Sequence, residues 1–392
     1  MNKYDYLIVG AGIIGMTIAY ELKQRDAKLR IAIIEKEHEV GIHASGRNSG
    51  VLHAGFYYSA DSLKAKFTVN GNVKMRHFCK AHDIFVNETK KVVVAKNAVE
   101  LEGIYELQKR AEINGVDTSI IDTVELAKID PNIKTYEKAL YSPNTASVNP
   151  KEVCLKLKNV LEDKGVVFHF NTAFENMDLS YDYLINCAGA YADKIAKKFG
   201  LAKNYTMLPF KGIYLKYGEN RTDIRTNIYP VPNLANPFLG VHYTVTVDDS
   251  IKIGPTAIPA FWRENYKGFS NFKLSEFLEI SYYASKLFLL NAFNFRTLAI
   301  NEMQNYRSKV FIAKAKGMVH NIGDDFKPIP SGIRAQLLDT KSNELIQDFL
   351  LEHGQKTTHI LNAVSPAFTC SFAFAEFVVD EINTNKGQID DK

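Results

Sequence analysis

Apolar runs alternate with amphipathic segments along the chain and predict a strand–helix–strand unit at its start. Residues Tyr4–Val9 form a short apolar run typical of a strand, and residues 14–24 carry apolar side chains at helical spacing. A second apolar run, Ile31–Ile34, ends at Glu35. A strand, a glycine-rich turn, a helix and a further strand in this order indicate a βαβ unit of a parallel sheet.

The pattern along the rest of the chain is mixed. Strands are predicted at 91–95, 166–170 and 183–186, and helices at 101–112, 151–161, 274–298 and 371–382. Between residues 208 and 253 the apolar positions recur with a period close to two, which favours antiparallel strands. The polar stretch from 383 onward is predicted to be frayed.

These elements predict an α/β protein in which a Rossmann-like nucleotide-binding domain is interleaved with a β-rich, α+β substrate domain. The predicted nucleotide-binding domain is discontinuous and comprises residues 1–80, 141–205 and 326–386. The predicted substrate domain comprises residues 81–140 and 206–325, and residues 387–392 are predicted to be a flexible tail.

Composition and charge narrow the class of protein. With 392 residues, of which nearly half are apolar, the chain can bury one elaborated core or two. A net charge of +4 without a basic block does not favour nucleic acid as a partner. Four scattered cysteines form no CxxC pair, so we predict no metal site and a reducing compartment. The start lacks the features of a signal peptide, and no run of about 18 apolar residues occurs. The predicted location is therefore the cytoplasm.

The turn GAGIIG after the first strand predicts a dinucleotide site. Gly10 allows a tight turn, Gly12 lets the backbone approach a pyrophosphate, and Gly15 lets the helix pack close to the sheet. The pyrophosphate would lie at the positive end of the helix dipole. Glu35, twenty residues beyond Gly15, can accept hydrogen bonds from a ribose. The fingerprint alone permits NAD or FAD.

The segment after the second strand favours FAD. It is rich in glycine and serine and can wrap a pyrophosphate, where a nicotinamide enzyme usually continues into another βα unit. Beyond the glycines and Glu35, the residues predicted to bind the cofactor in this half are Ile14, Lys36, Ser45, Arg47, Asn48, Ser49 and Gly50.

The run SGRNSGVLHAGFYY followed by SLKAKF resembles the L-2-hydroxyglutarate oxidase/dehydrogenase family of D-amino-acid oxidase-like flavoproteins. The blocks PFKGIYL, YPVPNLANPFLGVHYT, IKIGPTAIPAFWRENY, SGIRAQ and LNAVSPAFTCSFAFAE are similar to family blocks in family order, and together they span nearly the whole chain. The resemblance implies a two-domain FAD flavoprotein that oxidises a 2-hydroxy dicarboxylate to the 2-oxo acid. Residues 324–332 and 233–236 are expected to differ from typical members, which leaves the exact acid open.

Such a reaction needs a base for the hydroxyl proton and a cation for the carboxylate. His53 is the first candidate base because imidazole titrates near neutral pH and its loop is expected to pass beside the flavin. Backbone hydrogen bonding and covalent attachment of the flavin are the alternatives for His53. His242 lies with Thr244 on one face of a predicted strand and is a second candidate for the base or for substrate contact.

Arg334 is the candidate clamp for the substrate carboxylate, because a guanidinium can donate two parallel hydrogen bonds to it. Lys211 is a weaker second cation for a distal carboxylate. Tyr57 and Tyr58 are candidates to cover the substrate pocket, although aromatic pairs are more often simple packing.

The last helix offers a further part of the flavin site. Ser365 and Pro366 favour a helix start, and amides from Ala367 to Thr369, including that of Phe368, are expected to face the flavin N1/C2=O edge. Ala188, Gly189 and Gly332 complete the predicted cofactor-binding set.

Two other classes stay open at this point, namely an amine or amino-acid oxidase of the same fold and a flavin-binding protein without catalysis. Oxygen and a quinone are both possible electron acceptors, and the oligomeric state is open. The aromatic and basic stretch from Phe261 to Arg296 predicts either a core or interdomain helix, which is favoured, or peripheral contact at the inner face of a membrane.

Overall fold

The computed structural model describes residues 3–218, 224–232 and 240–390, so the stretch 233–236 lies outside the described residues. Its strands are β1 (Tyr4–Val9), β2 (Ile31–Ile34), β3 (Val51–Leu52), β4 (Lys91–Val94), β5 (Ser119–Asp122), β6 (Lys138–Ser142), β7 (Ala146–Ser147), β8 (Val167–His169), β9 (Tyr181–Asn186), β10 (Tyr205–Tyr217), β11 (Asn227–Pro230), β12 (His242–Val245), β13 (Ile251–Gly254), β14 (Ile258–Pro259), β15 (Phe326–Asp339), β16 (Glu344–Leu345), β17 (Leu350–Gly354) and β18 (Thr357–Asn362). Its helices are α1 (Ile13–Arg25), α2 (Leu63–Ala81), α3 (Ala98–Ile113), α4 (Thr123–Ile129), α5 (Pro150–Asp163), α6 (Ala192–Lys198), α7 (Leu274–Leu290), α8 (Phe295–Gln304), α9 (Ser308–Lys316) and α10 (Ala367–Asp390).

The first sheet is the predicted parallel sheet. Its strand order is β17, β18, β9, β1, β2 and β8, with every neighbouring pair parallel except β17 and β18. Alternate side chains of β1 face opposite sides, so that Ile8 packs in one hydrophobic cluster and Leu7 in another. The run is continuously apolar because both of its faces are buried.

Helices cover both faces of this sheet. Helices α1, α2, α5 and α10 share one core with it, to which Met16, Phe67, Leu157 and Phe374 contribute. Helix α6 covers the opposite face through Ile195. This is the predicted Rossmann-like α/β layering.

The second sheet is β-rich and mostly antiparallel. Its order in the described residues is β16, β15, β10, β13, β12, β11, β4, β6 and β5, with β14 also beside β10 and with β11 parallel to β4. Val92 packs in a cluster with Phe311 of α9, whereas its neighbour Val93 packs with Leu107 of α3. The predicted period-two region is therefore confirmed, since β10 to β13 all lie in this sheet.

The helix predicted at 274–298 is two helices. Asn291, Phe293 and Asn294 have φ values between 40° and 61°, the left-handed region in which an α-helix cannot continue. Helix α7 ends before this break and α8 begins after it. The last helix is also longer than predicted, because it begins at Ala367 and extends to Asp390 through the stretch predicted to be frayed.

Strand β15 was not predicted and changes the position of residues 326–339. It pairs with β10 over most of its length, including Phe210 with Arg334 and Gly212 with Gly332. This stretch therefore lies in the β-rich sheet, although the sequence assigned it to the nucleotide-binding domain. The sequence FKPIPSG does not indicate a strand, because it contains two prolines and proline is uncommon within strands. The division into two domains otherwise stays a prediction.

A buried ion pair joins the two halves of the fold. Arg263 donates to both carboxylate oxygens of Asp193 on α6, and both side chains are fully buried. Asp193 also accepts a hydrogen bond from the amide of Met207 on β10 at 3.2 Å. Because neither charge reaches water, each depends on the other for stabilisation.

Across the parts of the chain that are described, no helix has both the length and the apolar character needed to cross a bilayer. Trp262 and Arg263, from the stretch considered for membrane contact, are buried, whereas Phe269 is 84% exposed. That stretch therefore divides into a core part and a surface part.

We expect Asp193→Asn to lower the free energy of unfolding by up to about 3–5 kcal/mol, because it removes the carboxylate that pairs with the buried Arg263 and leaves Glu279, 3.7 Å away, as its remaining side-chain partner. Chemical unfolding monitored by circular dichroism measures the change. The matched control is Glu162→Gln, which removes a partly exposed helix pair with Lys158 and should cost less than about 1 kcal/mol. Equal losses for the two variants would contradict the role of the Asp193–Arg263 pair.

Candidate active site

A long cavity of about 760 Å³ lies between the two sheets. One wall comes from the carboxyl ends of β1, β2 and β9, and the opposite wall from β10, β12 and β15. The volume falls in the range of roughly 300–1,000 Å³ that is typical of small-molecule and cofactor sites. In α/β proteins this position, at the carboxyl edge of the parallel strands, is where ligands bind.

The turn after β1 has a shape that only glycine allows. Gly10 has a φ of +106°, and a Cβ atom there would lie 2.5 Å from the carbonyl oxygen of Cys187. A Cβ atom on Gly15 would lie 2.2 Å from the carbonyl oxygen of Gly10. The close approach brings the start of α1 to the cavity wall, as the sequence predicts.

The first turn of α1 is suited to an anion. Gly12 provides no side-chain cap, and Ser45 Oγ accepts the amide of Ile13 at 2.9 Å. Gly12 and Ile14 line the cavity, so the positive end of the helix faces it. This cradle fits the pyrophosphate of a dinucleotide.

Glu35 is fixed at the end of β2 and faces the same part of the cavity. One carboxylate oxygen accepts the amide of Ala11 at 2.9 Å, and the other accepts the amide of Glu37 at 3.0 Å. Each oxygen keeps a further lone pair for a ribose hydroxyl. The predicted ribose contact therefore has the required geometry.

Lys36 is engaged in ion pairs beside this end of the cavity. Its ammonium contacts Glu37 and lies 2.7 Å from Glu264. His43 Nε2 lies 2.9 Å from Glu37, and among the described residues Glu37, His43 and Glu264 form a group with the spacing of a metal site. Lys36 already provides a cation between the carboxylates of Glu37 and Glu264. We therefore interpret the group as an ion-pair cluster and assign no metal to it.

The loop after β2 is shaped by its own polar side chains. Arg47 Nε donates to the carbonyl oxygen of Ile42 at 2.7 Å, and its guanidinium lies 4.3 Å from the centre of the Tyr266 ring. Asn48 donates to the carbonyl oxygen of Ser45 and accepts the amide of Gly50. Arg47, Asn48 and Ser49 line the cavity, so the loop forms part of its wall.

His53 lies at the opposite end of the cavity and is anchored on three sides. Its amide donates to Thr369 Oγ1 at 3.1 Å, its carbonyl oxygen accepts Asn72 Nδ2 at 3.0 Å, and its Nδ1 lies 3.4 Å from Lys91 Nζ. Burial, with the nearby Lys91 and His242, holds the pKa of His53 well below its usual value. The imidazole is therefore neutral at neutral pH.

His242 faces the same end from β12. Its ring stacks on Tyr229 with a centre-to-centre distance of 3.7 Å, and its Nδ1 lies 2.9 Å from the carbonyl oxygen of Gly240. A carbonyl oxygen can only accept, so Nδ1 carries the proton and Nε2 is the unprotonated nitrogen. Burial, together with repulsion from Lys91 and Arg334, lowers the pKa of His242 to about 3, although the hydrogen bond to Gly240 partly offsets the burial.

Arg334 reaches the cavity from β15, directly opposite Phe210 on β10. Burial lowers the pKa of Arg334, and nearby Tyr214 partly offsets this. Repulsion from Lys91 lowers the pKa of both His53 and His242, and repulsion from Arg334 lowers the pKa of His242 and of Lys64. The electrostatic potential at this end of the cavity is consequently positive, which suits an anionic substrate.

Helix α10 begins at the cavity. The residues at its start that line the cavity are Ser365, Pro366, Ala367, Phe368 and Thr369. The helix is 24 residues long, so its N-terminal amides carry the positive end of a long dipole. The predicted contact between these amides and the flavin edge stays a prediction, for which the helix has the required position.

Most of the predicted site residues line this one cavity, including Ala188, Gly189 and Gly332. Gly15 and Gly50 lie behind the wall and shape it. Tyr57, Tyr58 and Lys211 are also absent from the lining. Strand alternation explains why Lys211 does not line the cavity. Phe210, Gly212 and Tyr214 on the same strand face the cavity, so Lys211 points to the other side.

Three residues of this end were not predicted. Tyr214 and Tyr229 line the cavity, and Lys91 lies just behind it. The period-two pattern of β10 could have indicated Tyr214, two residues beyond Gly212. Nothing local marks Lys91, whose position depends on the pairing of β4 with β11.

Comparison with known proteins agrees with this geometry. The family described as "DAO: FAD dependent oxidoreductase" matches residues 5–381. The solved L-alpha-glycerophosphate oxidase from Mycoplasma pneumoniae, described as having FAD bound, has a TM-score of 0.74 at 21% identity, with 98% of this chain and 95% of that one covered. Glycine oxidase from Geobacillus kaustophilus has a TM-score of 0.69 at 17% identity, with 98% and 95% covered. The chain therefore belongs to the DAO family of FAD-dependent oxidoreductases.

Within that family the chain is similar to proteins named L-2-hydroxyglutarate dehydrogenase. The mitochondrial protein of Caenorhabditis briggsae is 36% identical, with 98% of this chain and 94% of the relative covered. The Escherichia coli K12 protein is 32% identical, with 97% and 93% covered. The human mitochondrial protein is 32% identical, with 97% and 89% covered.

We expect Gly10→Val to abolish FAD binding, because its side chain cannot fit against Cys187 and the positive φ is strained for valine. The ratio of flavin absorbance to protein absorbance after purification measures the loss. The matched control is Gly165→Ala, at a position that also has a positive φ but has no atom within 4 Å of the added Cβ. Retention of FAD by Gly10→Val would contradict the proposed cradle.

Proposed function

We propose that this protein uses FAD to oxidise L-2-hydroxyglutarate, or a close 2-hydroxy dicarboxylate, to the 2-oxo acid. The observation that carries the proposal is the convergence of His53, His242 and Arg334 at one end of a cavity whose other end has a dinucleotide cradle. The similarity to L-2-hydroxyglutarate dehydrogenases over nearly the full chain supports the choice of acid.

Each group at the site has one role in the proposed reaction. Arg334 binds the carboxylate next to the hydroxyl carbon, which orients the C2–H bond. A neutral histidine, His53 or His242, accepts the hydroxyl proton. When bound, FAD supplies the two-electron acceptor at N5 for the hydrogen leaving C2. The cavity wall keeps the reacting carbon away from bulk water.

The positive potential at this end distinguishes an alcohol substrate from an amine. A 2-hydroxy dicarboxylate brings two negative charges toward Arg334 and Lys91. An amino acid of the same shape adds an ammonium group, which the same cations repel. The site thus favours a hydroxy acid over the amine or amino-acid oxidase alternative.

L-2-Hydroxyglutarate is expected to bleach the flavin under anaerobic conditions, whereas L-glutamate, which carries an ammonium in place of the hydroxyl, should not. Stopped-flow absorbance at the flavin bands measures the reduction. Faster reduction by L-glutamate would favour an amino-acid oxidase. If no acid or amine reduces bound FAD, a flavin-binding protein without catalysis is the better description.

In the same assay, Arg334→Met should weaken substrate binding about 10- to 100-fold, the equivalent of losing a charge-assisted hydrogen-bonded pair. The matched control is Lys327→Met, which removes an exposed cation from the same strand. An unchanged dissociation constant in Arg334→Met would exclude the carboxylate clamp.

We further propose that helices α7 and α8 rest on an anionic membrane surface and that the electron acceptor is a quinone. Exposed apolar side chains form a patch on these helices, which we call the α7–α8 patch: Leu274, Leu278, Tyr282, Leu289, Leu290 and Met303. Contiguous exposed apolar surface of this kind marks an interaction site.

The charges around the α7–α8 patch support a membrane. Lys286, Arg296, Arg307 and Lys309 lie at or near the surface beside it. The acidic side chains of the same region point inward: Glu276 contacts Lys194, Glu279 accepts from Thr206, and Glu302 accepts the amide of Ala257. An apolar face whose most exposed neighbouring charges in the described residues are basic suits the surface of an anionic bilayer.

We expect the protein to sediment with vesicles of phosphatidylglycerol and phosphatidylcholine, and Leu289→Glu/Leu290→Glu to reduce the bound fraction strongly. The matched control is Val99→Glu, which places a charge on an apolar position that is 83% exposed on α3. Equal binding by the two variants would contradict the docking surface. Reoxidation of the reduced protein by oxygen but not by a soluble quinone would contradict the acceptor.

A further inference from the structure

Lys91 is a fully buried lysine beside His53 to which the proposed reaction gives no role beyond its positive charge. It lies on β4 with no exposed surface, and no carboxylate oxygen among the described residues lies within 4 Å of its ammonium. Burying a lysine without an anion is unfavourable, so its surroundings must stabilise it in another way.

Three aromatic rings surround the ammonium of Lys91. Its Nζ lies 4.2 Å from the centre of the Tyr229 ring, 5.1 Å from that of Tyr57 and 5.5 Å from that of Phe56. Cation–π attraction to these rings favours the charged form. Burial acts in the opposite direction and lowers the pKa of Lys91 to about 7. The aromatic cage gives Tyr57 a function different from covering the substrate pocket.

The ammonium also determines which nitrogen of His53 carries a proton. Lys91 Nζ lies 3.4 Å from His53 Nδ1, and an ammonium can only donate. When Lys91 is charged, as below pH 7, Nδ1 is therefore the unprotonated nitrogen and Nε2 carries the proton. Because Lys91 lies behind the wall, the Nε2 edge is the part of the ring that His53 presents to the cavity.

The two histidines thus have opposite tautomers. His242 donates from Nδ1 to the carbonyl oxygen of Gly240 and keeps an unprotonated Nε2. His53 accepts at Nδ1 and keeps a protonated Nε2. One histidine is set up to accept a proton from the substrate, and the other to donate a hydrogen bond to it.

We propose that Lys91 is a positioning residue that holds His53 as a hydrogen-bond donor and so leaves His242 as the catalytic base. Only the assignment of His242 as the base rests on the proposed function; the effect of Lys91 on the His53 tautomer does not. In the reaction, the hydroxyl proton moves to His242 Nε2 and the C2–H bond breaks with its electron pair accepted by the cofactor. His53 Nε2–H donates to the same substrate oxygen as its negative charge develops.

A bound dicarboxylate makes the weakly basic His242 a better base. Without substrate, the neighbouring cations and burial both disfavour the imidazolium form. Two substrate carboxylates bring negative charge into the same poorly solvated space, which stabilises that form. Substrate binding and proton acceptance are thereby coupled at His242.

The tautomers can be measured directly in the FAD-bound protein. Labelling with 15N-histidine and recording two-bond 1H–15N correlation spectra distinguishes the tautomers, and His53→Asn and His242→Asn assign two of the ten histidines. At pH 6, where Lys91 is charged, we expect the Nε2–H form for His53 and the Nδ1–H form for His242. An Nδ1–H form for His53 in the unmodified protein would overturn the proposal.

Variants of Lys91 test whether its ammonium determines the tautomer of His53. Lys91→Met should give His53 a mixed or Nδ1–H tautomer, whereas Lys91→Arg, which keeps the cation, should preserve Nε2–H. Should Lys91→Met fail to fold, Lys91→Gln makes the same comparison. Lys252→Met, on β13 of the same sheet and also largely buried, is the matched control and should leave His53 unchanged. An unchanged His53 tautomer in Lys91→Met would overturn the role of Lys91.

Anaerobic flavin reduction then tests the division of roles. His242→Gln should slow the limiting reduction rate by about 100- to 10,000-fold with little change in the substrate dissociation constant. His53→Gln and Lys91→Met should each slow the limiting reduction rate by a similar and smaller factor. A larger loss of rate in His53→Gln than in His242→Gln would overturn the assignment. If the unmodified protein is not reduced by any 2-hydroxy acid, the proposed function fails, while the tautomer spectra still decide the role of Lys91.

Discussion

The pairing of β1 with a parallel strand on each side is the constraint on which the rest of the site depends. Val9, the last residue of β1, lies opposite Ile34 of β2 and Asn186 of β9. Three strands therefore end together, and the chain after each must leave the sheet at the same place. The glycine turn, Glu35 and the segment after β9 consequently meet around one space, toward which α1 directs its N-terminal amides.

The sequence predicts the nucleotide-binding end of the site well because its signals are local. A glycine at position 10 and an acidic residue at the end of β2 have fixed meanings in a βαβ unit, and the structure places both at the cavity. The substrate end is different, since His53, His242 and Arg334 come from three distant segments. Each was selected as a candidate for the chemistry that the family resemblance implies, and their roles stay predictions.

The predictions that were wrong have physical causes. Lys211 has the right charge but lies on the face of β10 that points away from the cavity. Neighbouring residues of a strand face opposite sides, and the sequence alone does not reveal which side faces the cavity until the partner strands are known. Residues 326–339 lack a clean alternating pattern, so β15 was missed. The break between α7 and α8 depends on left-handed residues such as Asn291, which a helical apolar pattern does not reveal.

The hydroxyl group of Thr369 has a consequence for how the protein acquires its cofactor. It accepts the amide of His53 and donates to the carbonyl oxygen of Val51, so the first turn of α10 holds a loop that precedes it by more than 300 residues. During synthesis, the glycine turn is made early, whereas the start of α10 that lines the same cavity is made more than 300 residues after the His53 loop that it holds. A growing chain can hold the nucleotide only weakly, and full retention of FAD has to wait until α10 docks.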